Sequence, residues 1–398
     1  MKSHIYKNIT FIFLITVFLL PHATHAANAD LEVAGWIPYW RDSEGMKDAR
    51  RHIDQIDVVY PFAYTVTTQG SLRDQAGLGE KDWKNFIRFA KRKDVEVIPT
   101  VMWSDGASIH SVLSNEKLRS AHIEEIVRMV ENGDYDGVGI DYEAKKAETK
   151  DSFSLFLKEL KAELGDKVLT CAIEARTPPD SLYKEVPAVI TYANDYKEIG
   201  KHCDRIEIMA YDQQRADIKL NKEKNGLPYM PIADTDWVRK VVELALKDFP
   251  DDKVLLGIPT YGNHYAVTVA PEWFRDYSRI GALNPPDILD IAKQYRVTPT
   301  RNKAGELGFS YLPKSSNVKL KSSLDIPKGT KKGDIVAARA LAYANKTGKE
   351  VTFNIASYQD AEAMKEKIDL AKEFNLRGVA FFKFDGEEDR NLWKYLEE

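Results

Sequence analysis

From Leu31 to Phe384, short runs of β-branched and apolar residues alternate with segments whose apolar positions recur at helical spacing. The strand-like runs are Leu31–Tyr39, Val58–Thr65, Val95–Trp103, Gly137–Tyr142, Val168–Glu174, Arg205–Tyr211, Val254–Tyr261 and Gly378–Phe384, eight in all. Between them lie helical stripes such as Ile123, Ile126, Val127 and Val130, or Phe153, Phe156, Leu157, Leu160 and Leu164. Eight strand-then-helix units predict the α/β class and a closed (β/α)8 TIM barrel, with its site at the carboxyl ends of the strands. A doubly wound open sheet is the alternative. It wants a glycine-rich phosphate loop after an early strand, and the chain has neither GxGxxG nor a Walker sequence.

The seventh and eighth runs stand too far apart for one βα connection. Residues 263–357 also change texture, with punctuation at Asn284-Pro285-Pro286, Lys314-Ser315-Ser316 and Lys331-Lys332-Gly333 around short segments such as Gly308–Leu312 and Val351–Ile355. Phe309, Tyr311 and Phe353 argue against a disordered loop. We read a small α+β insertion that forms one wall of a cleft.

Composition narrows the surroundings. With 398 residues, 43% of them hydrophobic and 30% charged, the chain is ordinary globular material for one large barrel. A formal charge of −4 without a basic stripe makes nucleic acid an unexpected partner. Residues 1–26 read as a signal peptide: Lys2 and Lys7 precede an apolar run from Ile9 to Leu20, and Thr24 and Ala26 offer small residues for cleavage. That run is too short to span a bilayer, although an uncleaved anchor is the competing reading. The mature chain, 27–398, is thus expected to be secreted or held in the cell envelope, as a monomer without a stable membrane span. Cys171 and Cys203 are read as two buried thiols, because a domain of this size needs no staple.

Chemistry concentrates in DGVGIDYE, residues 136–143. Side chains at alternate strand positions share a face, so Gly139, Asp141 and Glu143 point into the barrel while Val138, Ile140 and Tyr142 face the helices. With two stacked carboxylates at a strand's carboxyl end, burial and the neighbouring negative charge should both raise the pKa of one of them, as a general acid requires. Spacing alone leaves open a pair of surface acids capping the next helix.

The run resembles the DGxDxDxE signature on the fourth barrel strand of family 18 glycoside hydrolases, the chitinase-like group. Met209-Ala210-Tyr211-Asp212 resembles the MxYD motif that closes that family's sixth strand. Val351–Asp389 is similar to the tail of the spore-cortex and YaaH-like bacterial branch. The resemblance implies an exported retaining hydrolase that cleaves β-1,4 linkages next to N-acetylglucosamine, in peptidoglycan or a chitin-like glycan, with no metal and no cofactor. Glu143 would protonate the leaving oxygen, and the sugar's own acetamido oxygen would attack to form an oxazolinium ion. Asp141 would steady that positive charge, Tyr211 would donate to the acetamido oxygen, and Asp212 and Met209 would hold the sugar.

Three departures stand out. Gly139 replaces the family's innermost Asp, which shares a proton with the middle one. Phe382 stands where the last strand usually presents Trp, and IPTVMWSD replaces the glycine-rich third strand of true chitinases. Together they favour the YaaH-like branch. A non-catalytic glycan-binding protein on the same barrel is the rival reading, with Gly139 its best support, and an envelope assembly scaffold is a third. Among aromatics that could stack on sugars, Tyr39 and Trp103 are favoured, Tyr64 is a candidate, and Trp36 and Trp40 complete the cluster. Glu174 and Arg176 are expected to form a structural ion pair. His264 has no partner at metal-ligand spacing.

Overall fold

In the computed structural model, residues 31–396 are described; the expected leader lies outside them. Eight parallel strands close into a barrel: Glu32–Pro38, Val58–Val66, Glu96–Val97 continued by Thr100–Trp103, Gly137–Tyr142, Val168–Glu174, Arg205–Met209, Val254–Pro259 and Gly378–Phe382. Closure is visible at the first strand, where Gly35 is in register with Val59 of the second and Phe381 of the eighth. The chain is a (β/α)8 barrel.

Alternation along the strands sorts side chains into two layers. Val138, Ile140 and Tyr142 join the outer apolar cluster, where Tyr142 packs on Phe153 and Phe156 of the helix Lys150–Leu164. Ala34, Trp36, Tyr60, Phe62, Ile98, Ala172, Leu255 and Ala380 fill the interior. Burial at ~25 cal/mol per Å² of apolar surface is what holds these layers together. Helices start where an acidic or amide side chain meets the free N–H groups of the first turn, as Asp105, Asn115, Asp234 and Asp360 do.

Between the seventh and eighth barrel strands the chain builds a second, antiparallel sheet. Its order is Trp273–Leu283, Gly262–Ala270, Val351–Tyr358, Leu307–Tyr311 and Thr300–Arg301. The helix Ile335–Thr347 covers one apolar cluster and Pro285–Tyr295 covers another. Glu306 ties this sheet to the barrel, accepting hydrogen bonds from the Ile232 and Ala233 amides at 2.7 and 2.9 Å.

The cysteines correct the sequence reading. Cys171 and Cys203 form a disulfide, their Cα atoms 6.1 Å apart. Core size bears on whether a domain needs a staple, not on whether two thiols meet; here the fifth strand and the lead-in to the sixth bring them together.

Candidate active site

The fourth strand delivers the carboxylates. Its ladder runs one residue past Tyr142, since the Glu143 amide donates to the Trp103 carbonyl at 2.8 Å. Glu143 therefore keeps the inward direction of Asp141. Ala144 then turns the chain sharply, with φ at 53°.

Asp141 is buried and Glu143 half-buried, with their carboxyls in hydrogen-bonding contact. Burial pushes Asp141 well above the usual carboxylate range, and the charge of Glu143 adds to it. Glu143 is pushed up by burial and by Glu174, while Lys145 opposes the rise in both. No protein donor reaches the buried Oδ1 of Asp141. Two carboxyls in such contact repel one another when both are charged, which favours the protonated form.

The sixth strand ends at Met209, whose half-buried side chain joins the interior cluster. Tyr211 follows, stacked on Phe382 at 6.0 Å between ring centres. Burial raises its hydroxyl well above the usual range, and Asp141 and Glu143 are the next largest causes, so the phenol faces both carboxyls. Gly257 makes room for it: a Cβ there would stand 3.0 Å from the Tyr211 ring. Asp212, at φ 52°, is exposed in the cleft, accepts a hydrogen bond from Tyr261, and adds its charge to the field on Glu143. The structure thus brings Glu143, Asp141, Tyr211 and Asp212 to one point.

Phe382 is central to the aromatic floor, within 6.3 Å of Trp36, Phe62, Tyr211 and Tyr261. Trp40, 49% exposed, stands edge-on to Phe62 and Tyr39. Beside this floor lies a cavity of 410 Å³ whose far wall, Arg279, Ala282 and Leu283, comes from the second sheet. Tyr39 is half-buried at the barrel end, packed against the interior cluster.

Two aromatic expectations fail. Trp103 is 3% exposed and points outward, packed on His122 and Tyr142. Third-strand alternation, with Thr100 and Met102 inward, puts it there. Tyr64 would share the inward face of Tyr60 and Phe62, but a register irregularity between Phe62 and Tyr64 turns it to the outer layer, where it hydrogen-bonds Tyr135. Trp36, read either as core or as subsite wall, is 4% exposed and packs in the interior cluster, whereas Trp40 is exposed.

Glu174 and Arg176 do not pair. The Arg176 guanidinium lies over the rings of Tyr192 and Tyr196 at 3.6 and 3.9 Å, while Glu174 faces Lys145 at 3.6 Å. Lys145 escaped the sequence reading because it lies outside the strand alternation. The His264 ring meets the Tyr311 hydroxyl at 2.7 Å, a structural contact within the second sheet.

A family model, glycosyl hydrolases family 18, matches residues 33–387. The chain is 22% identical over 295 residues to the glycosylase YvbX of Bacillus subtilis strain 168, covering 73% of this chain and 69% of that protein. It spans about half the length of two further curated relatives it matches, 51% and 52%. Among solved structures, the Bacillus cereus spore cortex-lytic enzyme SleL superposes with a TM-score of 0.65 at 17% identity, covering 92% of this chain and 74% of that one. A chitinase from Chromobacterium violaceum ATCC 12472 gives 0.65 at 19% identity, with 92% and 98% covered. With most of its length matched and its carboxylates at the end of the fourth strand, this chain belongs to the family 18 glycosyl hydrolases.

Proposed function

We propose that this glycoside hydrolase is exported and cleaves β-1,4 linkages next to N-acetylglucosamine, in peptidoglycan or a chitin-like glycan, with retention through an oxazolinium ion. The contact between the Asp141 and Glu143 carboxyls carries the reading. Two carboxyls that act as acid and nucleophile stand about 5 Å apart across the scissile bond. Here they touch, so Asp141 is badly placed to attack and well placed to steady a positive charge made by the sugar's own acetamido group. Glu143, the less buried of the two, is the acid that protonates the leaving oxygen and later activates water. Tyr211 donates its hydroxyl to the acetamido oxygen, Asp212 and Met209 hold the sugar, and Phe382 and Trp40 offer stacking surface. Export rests on the charged, then apolar, then small-residue order of residues 1–26. The similarity to a spore cortex-lytic enzyme supports peptidoglycan and that to a chitinase supports chitin-like chains.

Comparing wild type with Glu143→Gln on purified peptidoglycan and on chitin oligomers tests this. Turnover of the preferred glycan should fall by about 10²–10⁴-fold while binding is kept. Equal activity would remove Glu143 as the acid. Wild type that binds either glycan and cleaves neither would establish the glycan-binding alternative, which the missing carboxylate at Gly139 favours.

A further inference from the structure

Arg41, Arg279 and Lys383 bring positive charge to the cavity beside the aromatic floor. Carboxylates hold two of them. Arg41 meets Asp385 at 3.5 Å and Glu387 at 2.9 Å, and Lys383 pairs with Asp385. Arg279 instead donates to an amide oxygen, Asn263 Oδ1, at 3.3 Å, and among the described residues it forms no ion pair. Strand pairing in the second sheet sets what stands around it. Tyr265 is in register with Arg279 and Asn263 with Ala282, and residues directly opposite one another share a face. A register shift between His264 and Tyr265 leaves Ile280 as the extra residue, which brings Arg279 and Ala282 to that same face. Both line the cavity, so Asn263 and Tyr265 belong to its wall.

Asn263 is 1% exposed and Tyr265 3%, yet among the described residues no acceptor reaches Asn263 Nδ2 or the Tyr265 hydroxyl. Buried donors left without an acceptor destabilise a fold, so two of them beside an uncompensated guanidinium call for a ligand that brings acceptors. Guanidinium, amide and phenol all donate here. The group that answers them is a carboxylate, whose two oxygens take parallel bonds from a guanidinium fork and whose charge balances it. Asp385 and Glu387 are taken by Arg41, Lys383 and Asn284. Asp212 and Asp287, the other acids on the cavity, are left to accept from sugar hydroxyls.

We propose that Arg279, Tyr265 and Asn263 form a carboxylate site beside the sugar floor, so that the preferred glycan carries acidic substituents. Peptidoglycan has them, as a lactyl carboxyl on alternate sugars or as the carboxyl of the peptide built on it. Neutral chitin-like chains do not. The inference rests on the reading of this cleft as one for N-acetylglucosamine glycans and narrows that reading to one substrate class.

Binding is measured on the whole chain carrying Glu143→Gln, which leaves glycans uncut. The ligands are the neutral N-acetylglucosamine tetramer, the alternating N-acetylglucosamine and N-acetylmuramic acid tetramer with free lactyl carboxyls, and that tetramer with its peptides. An acidic chain should bind about tenfold or more tightly than the neutral one, and adding Arg279→Gln should abolish the preference while the neutral affinity stays within about twofold. Arg279→Lys, which keeps the charge without the fork, should restore only part of it. A preference for the free lactyl form identifies that carboxyl as the ligand, and one confined to the peptide-bearing form identifies the peptide's. Converting the carboxyls to carboxamides tests the contact without altering Arg279: the preference should vanish, and its survival overturns the proposal. No preference at all, or Arg279→Gln weakening neutral and acidic chains alike, overturns it as well. A protein that binds none of the three fails the glycan reading itself, and the inference with it.

Discussion

At position 139 the absence of a side chain is matched by its neighbours. The Thr100 and Thr170 hydroxyls close over the place where a Cβ would stand, and each already has a partner. Gly139→Asp would force those threonines aside and add a third carboxyl beneath an already repelled pair. It should lower unfolding free energy by about 1–3 kcal/mol, read as a smaller urea midpoint at constant slope. A gain in stability would mean that the pocket beneath Asp141 relaxes easily. Asp141→Asn probes the same layer from above: under the proposed mechanism it removes the charge that would steady the intermediate, and turnover should fall by at least about 10²-fold while KM changes little.

Elements decide where side chains face, and alternation is a stronger guide than position at a strand end. It places Asp141 and Glu143 inward and Trp103 outward on adjacent strands. Tyr64 shows how one irregularity in pairing overrides it. The disulfide is also a property of neighbouring elements, linking the fifth strand to the segment that enters the sixth across 32 residues. Closing a loop of that length in the unfolded chain corresponds to about 3–4 kcal/mol. Cys171→Ala/Cys203→Ala should lose stability of that order in denaturant while keeping the barrel's far-ultraviolet spectrum. An unmoved midpoint would show that the bond is not formed or does not stabilise.

Across the whole molecule, charge is buried deep in the barrel. Arg205 lies between Glu32 and Glu96, at 2.7 Å from each, and the Tyr60 hydroxyl donates to Glu207 at 2.7 Å. Burial lifts Glu207 from 4.5 to about 7 despite those partners. A carboxyl raised on folding favours the native state below its unfolded value and loses that contribution as pH climbs through the folded one. Glu207 should therefore cost wild type about 3 kcal/mol between pH 4.5 and pH 8. Thermal melts of Glu207→Gln across that range should show a flatter fall than wild type on the alkaline side. Parallel curves for the two proteins would place the titration elsewhere.

Periodicity along the chain was enough to determine eight strand-then-helix units, a closed barrel, and two carboxylates on the inner face of its fourth strand. Each is a local consequence of which side chains must leave water, so each is legible in order. The tertiary structure decided what those carboxylates meet. Lys145 folds back from beyond the strand, Glu174 turns to it instead of to Arg176, and Thr100 and Thr170 fill the space that glycine leaves. These pairings join residues on different strands, and only closure of the barrel sets the distances on which their electrostatics depend.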